Sequence, residues 1–172
     1  MSVRKIALIG ILTAATIIIA VVESFIPSVG IPGVKLGLAN IMILVILYEL
    51  GILEAVFVNL VRVVLVGVIR GTLFSMGFLM SLTGAALSLG IMIVFYLLIK
   101  KFSIIAVSVV GSLFHVFGQI LIAMIFLGTS YILLYLPVIA VSAILTGVFV
   151  GVTAKLIIRT NVIKKQREKY NF

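Results

Sequence analysis

The chain contains no cysteine and no aspartate, and only four glutamates: Glu23, Glu49, Glu54 and Glu168. The missing cysteine excludes disulfides and thiolate metal sites. Hard divalent cations are held by clustered carboxylate oxygens, and this chain has neither an aspartate cluster nor a pair of glutamates set to face a pocket. It cannot carry Mg²⁺-diphosphate chemistry alone. The single histidine, His115, is a poor metal site by itself. No glycine loop ending in Lys-Ser or Lys-Thr is present, which excludes a phosphate-binding ATPase motif. These absences predict a protein that is no enzyme, with no cofactor and no metal.

Charge is scarce as well. Charged residues make up 10% of the 172 and apolar residues 65%, against roughly 25% and 45–50% in soluble domains. With a mean hydropathy of +1.51, the composition is that of a multi-pass protein of the cell membrane. A net charge of +9 would suggest nucleic acid in a soluble protein. Here most cations lie at the N-terminus, in one short loop and in the C-terminal tail, a pattern of topology signals and contacts with anionic membrane lipids. No nucleic-acid partner is expected.

The apolar runs predict an all-α bundle of six transmembrane helices in one domain, over about residues 5–26, 36–53, 54–70, 78–99, 103–127 and 131–155. A basic tail follows at 156–172. The first run is long for a signal peptide, and no small-x-small cleavage site precedes Pro27. With the N-terminus inside, the inner side carries Arg4, Lys5, Lys100, Lys101, Lys155, Arg159, Lys164, Lys165, Arg167 and Lys169. The outer side carries only Lys35 and Arg70. This bias predicts that both termini are cytoplasmic.

Polar residues inside the runs are the candidates for function. Arg62 falls near the middle of the third helix, where a charge costs at least ~2.5–3.5 kcal/mol and normally has a partner. Asn59 lies a turn earlier on the same face. Arg62 is either a ligand group or an arginine held by helix carbonyls or by Glu49 or Glu54. His115 and Gln119, four apart, share a face of the fifth helix and form either a ligand site or an interhelical hydrogen bond. Glu23 ends the first helix near Lys35, where an ion pair would brace the loop. Tyr135 lies a turn deeper than Tyr131 at the outer end of the sixth helix and can stack on a ligand or anchor at the interface. Convergence of Lys35, Asn40, Arg62, Arg70, His115 and Gln119 would form a positive, apolar-walled pocket for a small anion. Ala7, Gly10 and Ala14 fall on one face of the first helix, where small residues allow close packing within the chain or against a second protein.

Pro and Gly break the apolar pattern at Pro32-Gly33-Val34-Lys35-Leu36-Gly37-Leu38-Ala39-Asn40. This stretch resembles the signature of the Gx transporter family, also labelled heptaprenyl diphosphate synthase component I. The resemblance continues through Glu54-Ala55, Asn59-Leu60-Val61-Arg62, Ser81-Leu82-Thr83-Gly84, His115-Val116-Phe117-Gly118-Gln119 and Leu134-Tyr135-Leu136-Pro137, over about residues 4–155. In its six-helix plan that family resembles the S components of energy-coupling-factor (ECF) transporters. The resemblance implies a subunit that binds a small-molecule substrate; the reading of the residues themselves places the ligand at Lys35, Asn40, Arg62, His115, Gln119 and Tyr135, with Glu23, Asn59, Arg70 and Ser81 as possible ligand or bracing residues. The resemblance also implies docking of the Ala7, Gly10, Ala14 face on a coupling transmembrane subunit energised by ATPases. The face reads Gly10-x-x-x-Ala14, a departure from the strict Ala-x-x-x-Ala pattern. The alternatives are a non-catalytic accessory subunit of isoprenoid synthesis and a purely structural membrane partner.

Overall fold

The computed structural model describes residues 3–25, 37–98 and 102–160. They are all-α, with no strand among the described residues: α1 (Val3–Phe25), α2 (Asn40–Glu49), α3 (Ile52–Ile69), α4 (Met76–Leu98), α5 (Ile104–Leu127) and α6 (Leu136–Arg159). Tyr131–Tyr135 forms a 3-10 segment ahead of α6. Five elements are long and apolar enough to cross a membrane, namely α1, α3, α4, α5 and the continuous stretch Tyr131–Arg159. Lys35 and the basic tail beyond 160 lie outside the described residues.

α2 departs most from the span expected over 36–53. Its 10 residues cover only ~15 Å, about half of a hydrocarbon core. Gly51, at φ 122°, breaks the chain between α2 and α3 in a conformation that suits glycine. At the other end the backbone of 37–39 is not α-helical, and Gly37 sits at φ 80°. Asn40 touches Arg62 near the middle of α3, so α2 begins partway into the bundle. Irregular backbone at that depth needs partners for its amides within the protein. Glu23 of α1 supplies them, one carboxylate oxygen accepting from the Gly37 N–H and the other from the Ala39 N–H. α2 is then enclosed on all sides, with Ile43 through Leu47 at most 1% exposed. That enclosure suits a helix apolar around its whole circumference.

α1 and α3 run side by side in the same direction. Lys5 pairs with Glu54 at one end (2.5 Å), and Ala20 and Glu23 meet Val66 and Arg70 around a cavity at the other. The sixth helix differs from the 131–155 expected. Pro137 falls in the first turn of α6, where a missing N–H and a fixed φ do no harm, and the preceding turn is tightened to 3-10. The turn between α3 and α4 carries Gly71 and, unusually, Phe74 at positive φ. Ser75 caps α4 by accepting from the Phe78 N–H (3.2 Å).

Glycines set how closely α4, α5 and α6 approach. A Cβ at Gly118 would lie 2.9 Å from the Cα of Gly84 and from the Thr83 carbonyl oxygen. One at Gly147 or Gly151 would lie 2.7 Å from the Cα of Val109 or Ile105, respectively. These neighbours are backbone and cannot swing aside, so the contacts depend on hydrogen at Cα. Gly118→Ala is expected to lower stability by about 1–3 kcal/mol, read as a fall in the thermal midpoint of the detergent-solubilised protein. Gly90→Ala, which meets nothing within 4 Å, should hold or raise that midpoint, since alanine is the better helix residue.

Candidate functional site

Arg62 is 6% exposed on α3. Its guanidinium donates through Nη2 to the Asn59 side-chain oxygen (2.7 Å) and through Nη1 to that of Asn40 (3.3 Å). Each asparagine then uses its NH₂ group on α4: Asn59 donates to the Ala85 carbonyl (3.1 Å) and Asn40 to the Ser88 hydroxyl (3.4 Å). Three helices are thus joined through one charge. Glu23 lies close enough for its carboxylate to act electrostatically on Arg62. The charge is held by two amides and a neighbouring carboxylate, and Glu54 is engaged elsewhere, with Lys5.

A cavity of about 150 Å³ opens beside this network. Its inner wall holds Glu23, Arg62 and His115, all buried, together with Gly37 and Ala39. Ala20, Val63, Val66 and Phe78 supply apolar surface. Its mouth is marked by Arg70, Ser75 and Gly77, all exposed. The lining therefore combines two guanidiniums with one carboxylate, and that carboxylate already accepts two backbone N–H groups. Such a site can hold a small anion by charge-assisted hydrogen bonds from arginine. Among the described residues, no three of His, Cys, Asp and Glu gather as metal ligands.

A family model described as heptaprenyl diphosphate synthase component I matches residues 12–157. The chain belongs to that family. No curated protein and no solved structure matches it. The family name is that of a component of a synthase, and apolar membrane-capable helices make up most of the chain.

The structure distributes the expected site residues unevenly. Arg62, Arg70, His115, Glu23 and Ser81 line the cavity. Asn40 and Asn59 stand behind Arg62 and orient it. Gln119, fully buried, donates from its amide to Nε2 of His115 (2.9 Å), one turn of α5 away. Both side chains lie over Gly84, where a Cβ would come within 3.1 Å of Gln119 Cγ and 3.3 Å of His115 Cε1. Tyr135, 58% exposed in the 3-10 segment, does not line the cavity. Lys35 falls outside the described residues. Ala7, Gly10 and Ala14 are all exposed on α1.

Several contributors escaped the sequence. Ser88 has no local signal, being 48 residues from its partner Asn40. Thr72 and Ser75 line the cavity from the turn between α3 and α4, and Phe78 lines it from the first turn of α4. The Ser75-x-x-Phe78 cap at the start of an apolar run was a legible cue to where α4 begins. Hydrogen bonds to a charged group are worth about 1.5–3 kcal/mol each. Asn59→Leu should therefore destabilise by that amount in thermal unfolding. The loss should be smaller when the same change is made in Arg62→Met, giving a positive coupling in a double-mutant cycle.

Proposed function

We propose that the chain is an S-component-like membrane subunit that binds a small, anionic, vitamin- or cofactor-precursor-like molecule for uptake by an ECF-type transporter. The observation carrying this reading is the cavity beside the start of α2, with Arg62 buried in its wall and Arg70 at its mouth. A concave, largely apolar space with a few convergent polar groups is the usual form of a small-molecule site. The lysine and arginine bias along the chain supports cytoplasmic termini. On that topology the mouth at Arg70 faces outward, as capture from outside the cell requires. The exposed face of Ala7, Gly10 and Ala14 supports docking on a coupling subunit, with ATPases supplying the energy that this chain has no motif to extract. In this reading the chain performs no chemistry on its ligand.

A second reading keeps the family name literally: a non-catalytic membrane accessory to isoprenoid diphosphate synthesis. One observation favours it. A lateral apolar groove of about 290 Å³ runs between α5 and the start of α6, lined by Leu113, Phe114, Val116, Phe117, Leu136 and Ala140. A prenyl chain needs such a surface, and a small anion does not.

Mass spectrometry of small molecules released from the gently purified protein distinguishes the two. The uptake reading expects one compound held stoichiometrically and lost from Lys35→Ala and Arg62→Lys. A prenyl compound retained by those variants but displaced by Ala140→Phe would favour the accessory reading. Lipids alone, equal in every form, would count against both, provided that added candidate ligands also fail to raise the thermal midpoint.

A further inference from the structure

Gly67 of α3 and Phe78 of α4 both line the cavity and touch each other there. Both stand between its inner wall and its mouth. Gly67 comes five residues after Arg62 and three before Arg70, about 7 Å and about 4.5 Å along the helix axis. α4 runs the opposite way to α3, since Asn59 meets Ala85 and Gly67 meets Phe78. On α4, Phe78 lies one turn inside the exposed Ser75. The Phe78 ring is therefore about one turn inside the mouth on both helices, between Arg70 and Arg62.

The ring is closely held. It lies on the bare Cα of Gly67, where a Cβ would come within 2.7 Å of its Cδ2 and 3.0 Å of its Cε2. Leu73 Cδ2, at 3.1 Å from that Cβ, belongs to an exposed side chain that can turn aside. Phe74 meets the ring edge to face, with centroids 6.1 Å apart, from a backbone at φ 62° that costs a side-chain-bearing residue energy. Val63 and Ala85 form a core cluster with it. Its open side is the cavity that it lines. Packed neighbours at interior density leave no other space, so a ring displaced from Gly67 moves into the cavity. Taking the cavity as the binding site proposed above, we infer that Phe78 sets its width between Arg70 and Arg62. Gly67 is the specificity-determining residue, because its missing side chain lets the ring stand clear. The cavity of about 150 Å³ holds roughly one benzene-sized body. The ligand end that passes the ring to reach Arg62 is therefore slender, an anionic group on an acyclic chain, and a wide ring system stays outside Phe78.

Access to the inner wall can be read on the full chain in detergent without any ligand. The chain has no cysteine, so Val63→Cys places a single thiol in the wall beside Arg62, and Thr72→Cys places one on the turn at the mouth. Val63 is 7% exposed. The probes are two anionic thiol reagents, slender sulfonatoethyl methanethiosulfonate and the aromatic dithiobis(nitrobenzoate). Each rate at Val63→Cys is divided by the rate of the same reagent at Thr72→Cys. On that scale the slender reagent should react at Val63→Cys about tenfold faster than the aromatic one. Adding Gly67→Ala should slow the slender reagent about tenfold, since the overpacked ring must be forced back at each entry. Adding Phe78→Ala to that pair should restore the rate. Phe78→Ala without the change at Gly67 should admit the aromatic reagent, an arm that stands even where Gly67→Ala fails to fold. A Gly67→Ala that only loosened the bundle would speed the reaction at Val63→Cys, the opposite sign.

Val63→Cys unreactive toward both reagents, a rate unchanged or raised by folded Gly67→Ala, or equal entry of the two reagents with Phe78 in place would each overturn the inference. Access and ligand capture are separate readouts, so the two proposals fail separately. A stoichiometric compound lost from Arg62→Lys, together with unhindered aromatic entry, would sustain uptake and sink the role of Phe78 and Gly67. Slender-only access in a protein that never holds a compound would do the reverse.

Discussion

A guanidinium buried in an apolar bundle must be solvated by protein, and the centre of this structure follows from that requirement around Arg62. Its charge is met by oxygens that carry no charge, from Asn40 and Asn59, with the Glu23 carboxylate nearby. Amides have donors as well as acceptors, so each asparagine must find a further acceptor, and both find it on α4 at Ser88 and Ala85. One buried charge thereby specifies the relative placement of α2, α3 and α4. The contribution is to specificity of arrangement as much as to stability, because a half-satisfied polar network in a low-dielectric interior is worse than none.

The short α2 begins at the same network. α2 begins at Asn40, which meets Arg62 near the middle of α3, and 37–39 enter as irregular backbone. The free amides of that entry are met by Glu23, reaching across from the end of α1. Glu23 thus serves both the backbone of α2 and the electrostatics of Arg62.

The other half of the bundle is governed by contact distance. Glycines at the crossings of α4 with α5 and of α5 with α6 bring backbones together, and the α4–α5 crossing holds His115 and Gln119 over Gly84. His115 reaches the cavity wall from there, while Gln119 stays sealed behind it. The bundle offers two different spaces, a cavity bearing charge and a lateral apolar groove.

The sequence by itself determined that this is an all-helical, membrane-type chain that contains no aspartate. It also determined the family and the shared face of Asn59 and Arg62. These are local or compositional properties: run length, absent residue types, and a separation of three along a helix. Helix limits set by capping or by proline inside a turn were legible only approximately. The half-length of α2 was not legible, because an all-round apolar pattern looks the same whether lipid or protein surrounds it. Nor was the pairing of Glu23 with Gly37 and Ala39, of Asn40 with Arg62, or the separation of Tyr135 from the cavity. Those contacts join residues far apart in the chain, and only the packing of the helices, set by backbone approach at glycine and by a single buried charge, decides which of them meet.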